Sequence, residues 1–297
     1  MNEDLAEFLA YISTQRRYSA YTSRNYEGAV NEWLSFLAGL GLDAKAATRR
    51  DARRFLMHIS DDYQPATIRN KISAVRSFYK FLLKTFSVEA DPFDGLKLPK
   101  KPRNLPVFLT ETQMPQLLEA PFEDERANGL DHVKALRDAL CFELLYGAGL
   151  RVSELCSLKW RDIDFLRNAA TVRGKGNKTR FCPFGKVAGN LLRTWRDSFS
   201  PFKNPDDFIL YTPRNKPMYP RFVQRELAKY LAQTNLPSNI TPHKLRHSFA
   251  THLVNEGVDL RALQEMLGHA SLSTTQIYTH LNTKKLVAEH RSSHPKA

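Results

Sequence analysis

Apolar residues recur at helical spacing along most of the chain. Phe8, Tyr11 and Ile12 open one such face, and Tyr26, Val30, Trp33, Leu34 and Leu37 continue a period near 3.6 until Gly39 and Gly41 end it. Asp51 to Ile59 predicts a shorter helix. Thr67 to Phe86 predicts a longer one, with Ile68, Ile72, Val75, Phe78, Tyr79 and Leu82 on one side. Further on, helices are expected from Thr110 through Leu118, over Val133 to Tyr146 ending at Gly147, then over Arg221 to Gln233, His243 to Asn255, Leu260 to Leu267, and from Ser273 onward. One β-region interrupts them: Ala170 to Arg173, a turn at Gly174-Lys175-Gly176-Asn177, then Thr179 to Phe184.

The periodicity lapses between Asp91 and Val107. Here Pro92, Pro99, Pro102 and Pro106 alternate with Lys97, Lys100, Lys101 and Arg103, as an extended basic linker would. The expected layout is therefore a helical bundle over 1–90, a linker over 91–106 and a second domain over 107–297. The polar stretch Phe122–Asp131 is expected to be a lengthened surface loop.

Composition narrows the class of partner. Lys and Arg number 44 against 31 Asp and Glu, a net charge of +13. A surplus of that size favours a polyanion, because each neutralised phosphate releases counterions. No apolar run approaches the roughly 20 residues that span a bilayer. The acidic start, Met1-Asn2-Glu3-Asp4, lacks the positive region of a secretion signal. Cys141, Cys156 and Cys182 lack metal-ligand spacing and read as reduced, buried thiols of a cytoplasmic protein. Nucleic acid is the expected partner, with no membrane association.

Four local clusters could carry chemistry. In Leu267-Gly268-His269 through Ile277-Tyr278, Gly268 suits a helix C-cap and Ser273 with Gln276 a capping box. Tyr278 would then sit one turn into a new helix, although a lone tyrosine there is far more often a packed aromatic with its hydroxyl satisfied. In Thr241-Pro242-His243-Lys244-Leu245-Arg246-His247, Pro242 starts a helix and sets His243 and Arg246 on one face. In Tyr146-Gly147-Ala148-Gly149-Leu150-Arg151-Val152-Ser153-Glu154, two glycines stop one helix and Arg151 opens the next, with Glu154 placed to support it. In Arg173-Gly174-Lys175-Gly176-Asn177-Lys178-Thr179-Arg180, Lys175 tips a hairpin whose glycines permit close approach.

In order and spacing these clusters resemble the tyrosine recombinase family, closest to the XerC/XerD group. The segments Tyr146–Leu155, Gly174–Lys178, His243–His252 and Leu267–Leu281 carry the match. The resemblance implies a mainly α fold: an N-terminal SAM-like, core-binding helical bundle and a C-terminal mixed α/β catalytic domain with a small antiparallel sheet. Together they would clamp DNA. It implies Arg151 and Arg246 on the scissile phosphate, Lys175 protonating the leaving 5′ oxygen, and His243 exchanging a proton with Tyr278. His269 would bond the phosphate or orient its neighbours. Tyr278 would attack to give a transient 3′-phosphotyrosine, without ATP, metal or another cofactor. The partners implied are double-stranded DNA and a homo- or hetero-tetramer on two DNA sites, docked through the tail after Tyr278, with or without an activating protein.

Arg69, Lys71, Arg76, Lys178, Arg180, Arg221 and Arg225 are the cations expected to face DNA. Chromosome dimer resolution is the expected role. A mobile-element integrase, a strand-rejoining topoisomerase-like activity and a non-catalytic DNA-binding protein remain the alternatives.

Overall fold

The computed structural model describes residues 2–16, 18–85, 88–100, 107–174 and 179–268. The chain forms two compact units, residues 1–105 and 106–297.

The first unit is all helical: α1 (Glu3–Thr14), α2 (Ala20–Gly39), α3 (Arg49–Ser60) and α4 (Pro65–Thr85). Side-chain caps mark where these helices start. Asn2 and Ser19 accept from the first-turn backbone of α1 and α2, and Thr48 with Asp51 forms a capping box on α3. The core gathers round the fully buried Trp33, whose ring meets Phe55 edge-on at 5.0 Å and Phe93 at 4.9 Å. Its indole N–H donates to the Tyr79 hydroxyl (3.0 Å), which donates in turn to the Ala44 carbonyl (2.9 Å), so neither polar group is buried unpaired.

Phe93 marks a difference from the expected linker. Pro92 and its neighbours show no helical period, yet Phe93 is buried in this core and Leu96 and Leu98 pack against it. Arg76 fastens the segment through Asp91 (3.1 Å) and Asp94 (3.0 Å). The described part of 91–100 thus belongs to the first unit. A single aromatic anchor leaves no periodic trace for pattern reading to find.

The second unit is built round α6 (His132–Gly147), buried without interruption from Ala135 to Gly147. A helix covered on every side is a central one. Around it stand α5 (Met114–Asn128), α8 (Lys186–Thr194), α9 (Pro220–Gln233) and α10 (Pro242–Asn255), with the short α7 (Val152–Ser157) and α11 (Leu260–Leu267). A three-stranded antiparallel sheet runs β1 (Ile163–Asp164), β2 (Ala169–Arg173), β3 (Thr179–Pro183), in that spatial order. The β2–β3 register pairs Arg173 with Thr179 and Ala169 with Pro183.

Two elements depart from expectation. The stretch Phe122–Asp131 is mostly helix, not an extended loop: α5 continues through Pro121 and stops where Gly129 turns left-handed (φ +66°). Its buried Asp124 accepts from Lys229 (2.7 Å), Asn128 (2.8 Å) and Gln233 (3.0 Å), which secures this end against α9. A proline and a polar run had disguised it. The second is α8, absent from the expected elements although Ala188, Leu192 and Trp195 keep helical spacing into a π-helical turn. Of the three cysteines, Cys141 and Cys182 are buried and Cys156 is half-buried; all are free. Among the described residues no helix is long and apolar enough to cross a membrane, and no set of three His, Cys, Asp or Glu could hold a metal ion.

Candidate active site

Gly149 lets the chain leave α6 and enter α7 in one tight turn. Its φ of +57° is left-handed, and a Cβ there would lie 2.6 Å from the Phe249 ring. The turn delivers Arg151 to the N-cap of α7. Three residues on, Glu154 reaches back: its Oε2 accepts the Arg151 backbone N–H (2.8 Å) and its Oε1 accepts from Arg151 Nη1 (2.7 Å). Thr241 caps α10 and Pro242 occupies its first turn, so His243 is exposed while Arg246, one turn further, is buried.

Three guanidinium groups meet at one place. Glu154 accepts from Arg151 and, through both oxygens at 2.7 Å each, from Arg180; Arg246 Nη1 stands 3.9 Å away. On their other side lie the last carbonyls of α11, the negative end of that helix. Arg180 Nε donates to Met266 (2.8 Å), Arg246 Nη2 to Leu267 and Arg151 Nη2 to Gly268 (3.3 Å). Arg246 Nη1 also donates to the Gly149 carbonyl. Gly268 ends α11 left-handed (φ +61°), and a Cβ there would come within 2.9 Å of Arg180 Cδ.

The electrostatics follow from burial. Leaving water would push the Glu154 carboxyl up, but the Arg180 and Arg151 donors more than reverse this and hold it at about 2. Burial, with the nearby charges of Arg151 and Arg180, lowers the Arg246 guanidinium to about 10 against the opposing pull of Glu154. At neutral pH all three arginines are charged round one carboxylate, leaving an excess of positive charge. Arg246 uses two of its five N–H groups on carbonyls, and the half-exposed Arg151 side chain opens to solvent. The arrangement can bind an oxyanion and stabilise charge growing on it.

The structure thus gathers Arg151 and Arg246, and sets His243 on the helix that carries Arg246. Lys175, Lys178, His269 and Tyr278 lie outside the described residues. The cations expected to face DNA divide. Arg69, Arg221 and Arg225 are exposed, Arg225 resting on Phe222 beside Glu226. Lys71 is paired with Glu32 over the Tyr63 ring, and Arg76 with Asp91 and Asp94. Arg180, expected at the surface, faces inward because it shares its side of β3 with the buried Cys182. That alternation was the available signal for its role.

Gly149→Ala should test how firmly this turn is set. The buried Phe249 ring has nowhere to retreat, so left-handed strain and overlap add to a loss of about 2–4 kcal/mol in unfolding free energy. A shift in the urea midpoint measures it; an unchanged midpoint would mean the turn relaxes freely.

Comparison with known proteins reaches both units. Residues 107–285 match the model of the phage integrase family, and residues 5–85 that of the phage integrase N-terminal SAM-like domain. The chain is 37% identical to the tyrosine recombinase XerC of Bacillus subtilis (strain 168), covering 98% of this chain and 95% of that protein. It is 38% identical to the XerC of Pediococcus pentosaceus, with 99% of each covered. Among solved structures, that of XerA recombinase is 30% identical at a TM-score of 0.50, covering 100% and 99% of the two chains. The XerH recombinase in a post-cleavage complex with its palindromic difH substrate shares the fold at a TM-score of 0.73 and 21% identity, covering 97% and 84%.

Proposed function

The chain belongs to the phage integrase family, the tyrosine recombinases, and on that footing we propose that it recombines two specific DNA sites through a 3′-phosphotyrosine on Tyr278. The observation that carries the reading is the convergence of Arg151 and Arg246 between Glu154 and the carbonyl end of α11.

A phosphodiester in transfer gains negative charge, and two fixed guanidinium groups on its non-bridging oxygens lower the barrier. The Tyr278 oxygen bonds to phosphorus as the bond to the 5′ oxygen breaks. The tyrosine proton passes to His243, and Lys175 protonates the departing oxygen, so charge and protons balance. His269 bonds the phosphate or orients its neighbours. The phosphotyrosine keeps the energy of the broken bond. A 5′-hydroxyl from the other duplex can therefore displace the tyrosine without ATP, and the arginine charges stand where a metal ion would otherwise be needed.

The full-length similarity to proteins named XerC favours resolution of chromosome dimers in the cytoplasm over mobile-element integration. The two units would clamp the duplex with Arg69, Arg221, Arg225 and Lys178 toward phosphates. A homo- or hetero-tetramer on two sites would complete both strand exchanges, its subunits docked through the tail that follows Tyr278.

The test is an SDS-resistant protein–DNA adduct. Incubated with EDTA and a duplex nicked beside the cleavage point, the protein should become covalently linked to a 3′ end. Folded protein that binds the duplex and yields no adduct would overturn the reading.

A further inference from the structure

The carboxylate at the centre of the site poses a problem for phosphate chemistry. Glu154 is in ion-pair contact with Arg151, Arg180 and Arg246, and a phosphate oxygen would compete with it for the same donors. With two arginines alone, one of their two positive charges would be cancelled before any DNA arrived.

Arg180 resolves this by geometry. Its guanidinium takes both Glu154 oxygens at 2.7 Å in a two-pronged pair, and its Nε is spent on the Met266 carbonyl. All three of its nitrogens are therefore engaged inside the protein. Its side chain is 10% exposed against 37% for Arg151, so it has little surface to offer a nucleic acid. We infer that Arg180 is a positioning residue that takes up most of the charge of Glu154, which Arg151 meets through Nη1 alone, so that Arg151 and Arg246 together keep net positive charge for the scissile phosphate.

Two observations support the inference. Arg246 lies 3.9 Å from Glu154 and turns its Nη atoms to backbone carbonyls, as expected where the carboxylate is already occupied. The repulsion that Arg246 feels from Arg180 and Arg151 exceeds its attraction to Glu154, so the pocket carries net positive charge for an anion to relieve. Arg180 also joins β3, the N-terminus of α7 and the end of α11, which lets one side chain hold the positions of the other two.

The inference rests on the phosphotyrosine reading, and the test separates them. Adduct formation is compared on a duplex with an ordinary scissile phosphodiester and on one with a methylphosphonate, which lacks the negative charge. Arg180→Met should slow the phosphodiester by about 10²-fold, because Glu154 without Arg180 offsets the charge of Arg151 and draws in Arg246, yet slow the methylphosphonate by less than about tenfold. Adding Glu154→Gln should restore at least about tenfold of the lost rate, and Arg180→Lys, which keeps the charge, should preserve the wild-type ratio of the two substrates.

A double variant no faster than Arg180→Met, or equal slowing on both substrates, would make Arg180 a mere strut and overturn the inference. If Arg180→Met loses its cooperative unfolding transition, Arg180→Lys decides: an unchanged ratio supports the charge role and a fallen one overturns it. Absence of any adduct with the wild-type protein would overturn the phosphotyrosine reading, and this inference with it.

Discussion

Tyr278→Phe is expected to leave no covalent protein–DNA adduct while the protein still folds and binds its duplex. The change deletes one oxygen, the atom proposed to bond to phosphorus. Arg246→Ala should behave differently. It keeps the nucleophile but removes a fixed cation from the phosphate, which lowers the rate of adduct formation by on the order of 10³ without abolishing it. Its effect on folding should be small for opposing reasons. The Gly149 and Leu267 carbonyls lose their donor, while the repulsion of Arg246 by Arg151 and Arg180, and the burial of its charge, are relieved. Gel-resolved adduct yield against time separates the outcomes. Adduct persisting in Tyr278→Phe would move the nucleophile to another residue, and one abolished together with the folded state would mean the substitution reports on packing.

How much of this was legible in the sequence depends on how each feature is held in place. The helices of the first unit were readable because Trp33, Phe78 and Tyr79 lie on regular apolar faces, and a face of that kind has few places to go. The helix starts that carry Arg151 and His243 were readable because their neighbours specify them, Gly149 and Glu154 for the first, Thr241 and Pro242 for the second, with Arg246 one turn on. Phe93 was hidden because a single anchoring ring has no period. The end of α5 was hidden because Pro121 reads as a break, although a helix can lose one donor and continue when its flank is secured, as Asp124 secures this one. Arg180 was misread for a different reason. Sequence places it beside Lys175 and Lys178 in a basic run, whereas the pleat places it beside Cys182. The meeting of three arginines with Glu154 and α11 joins residues up to 117 positions apart, and no local pattern encodes it.

Glu154→Ala should cost the second unit about 3–5 kcal/mol, because it strips the shared carboxylate from the buried guanidinium groups of Arg180 and Arg246 and leaves them facing each other. What is lost is the ion pairs and the bond to the Arg151 backbone N–H that caps α7, not apolar packing. Acid should produce a milder version in the wild type. The folded protein holds this carboxyl at about 2, below its ordinary 4.5, so its stabilisation is complete above about 4.5 and fades as pH falls from there toward 2. The displacement corresponds to about 3 kcal/mol over that window. Urea midpoints measured from pH 6 down to pH 3 should therefore fall more steeply for the wild type than for Glu154→Gln, which has no proton to gain. Parallel curves for the two proteins would show that the arginines do not depend on this carboxylate. They would then have to be held by backbone carbonyls, those of Gly149 and the end of α11, and a helix terminus carries only about half a charge against three whole ones.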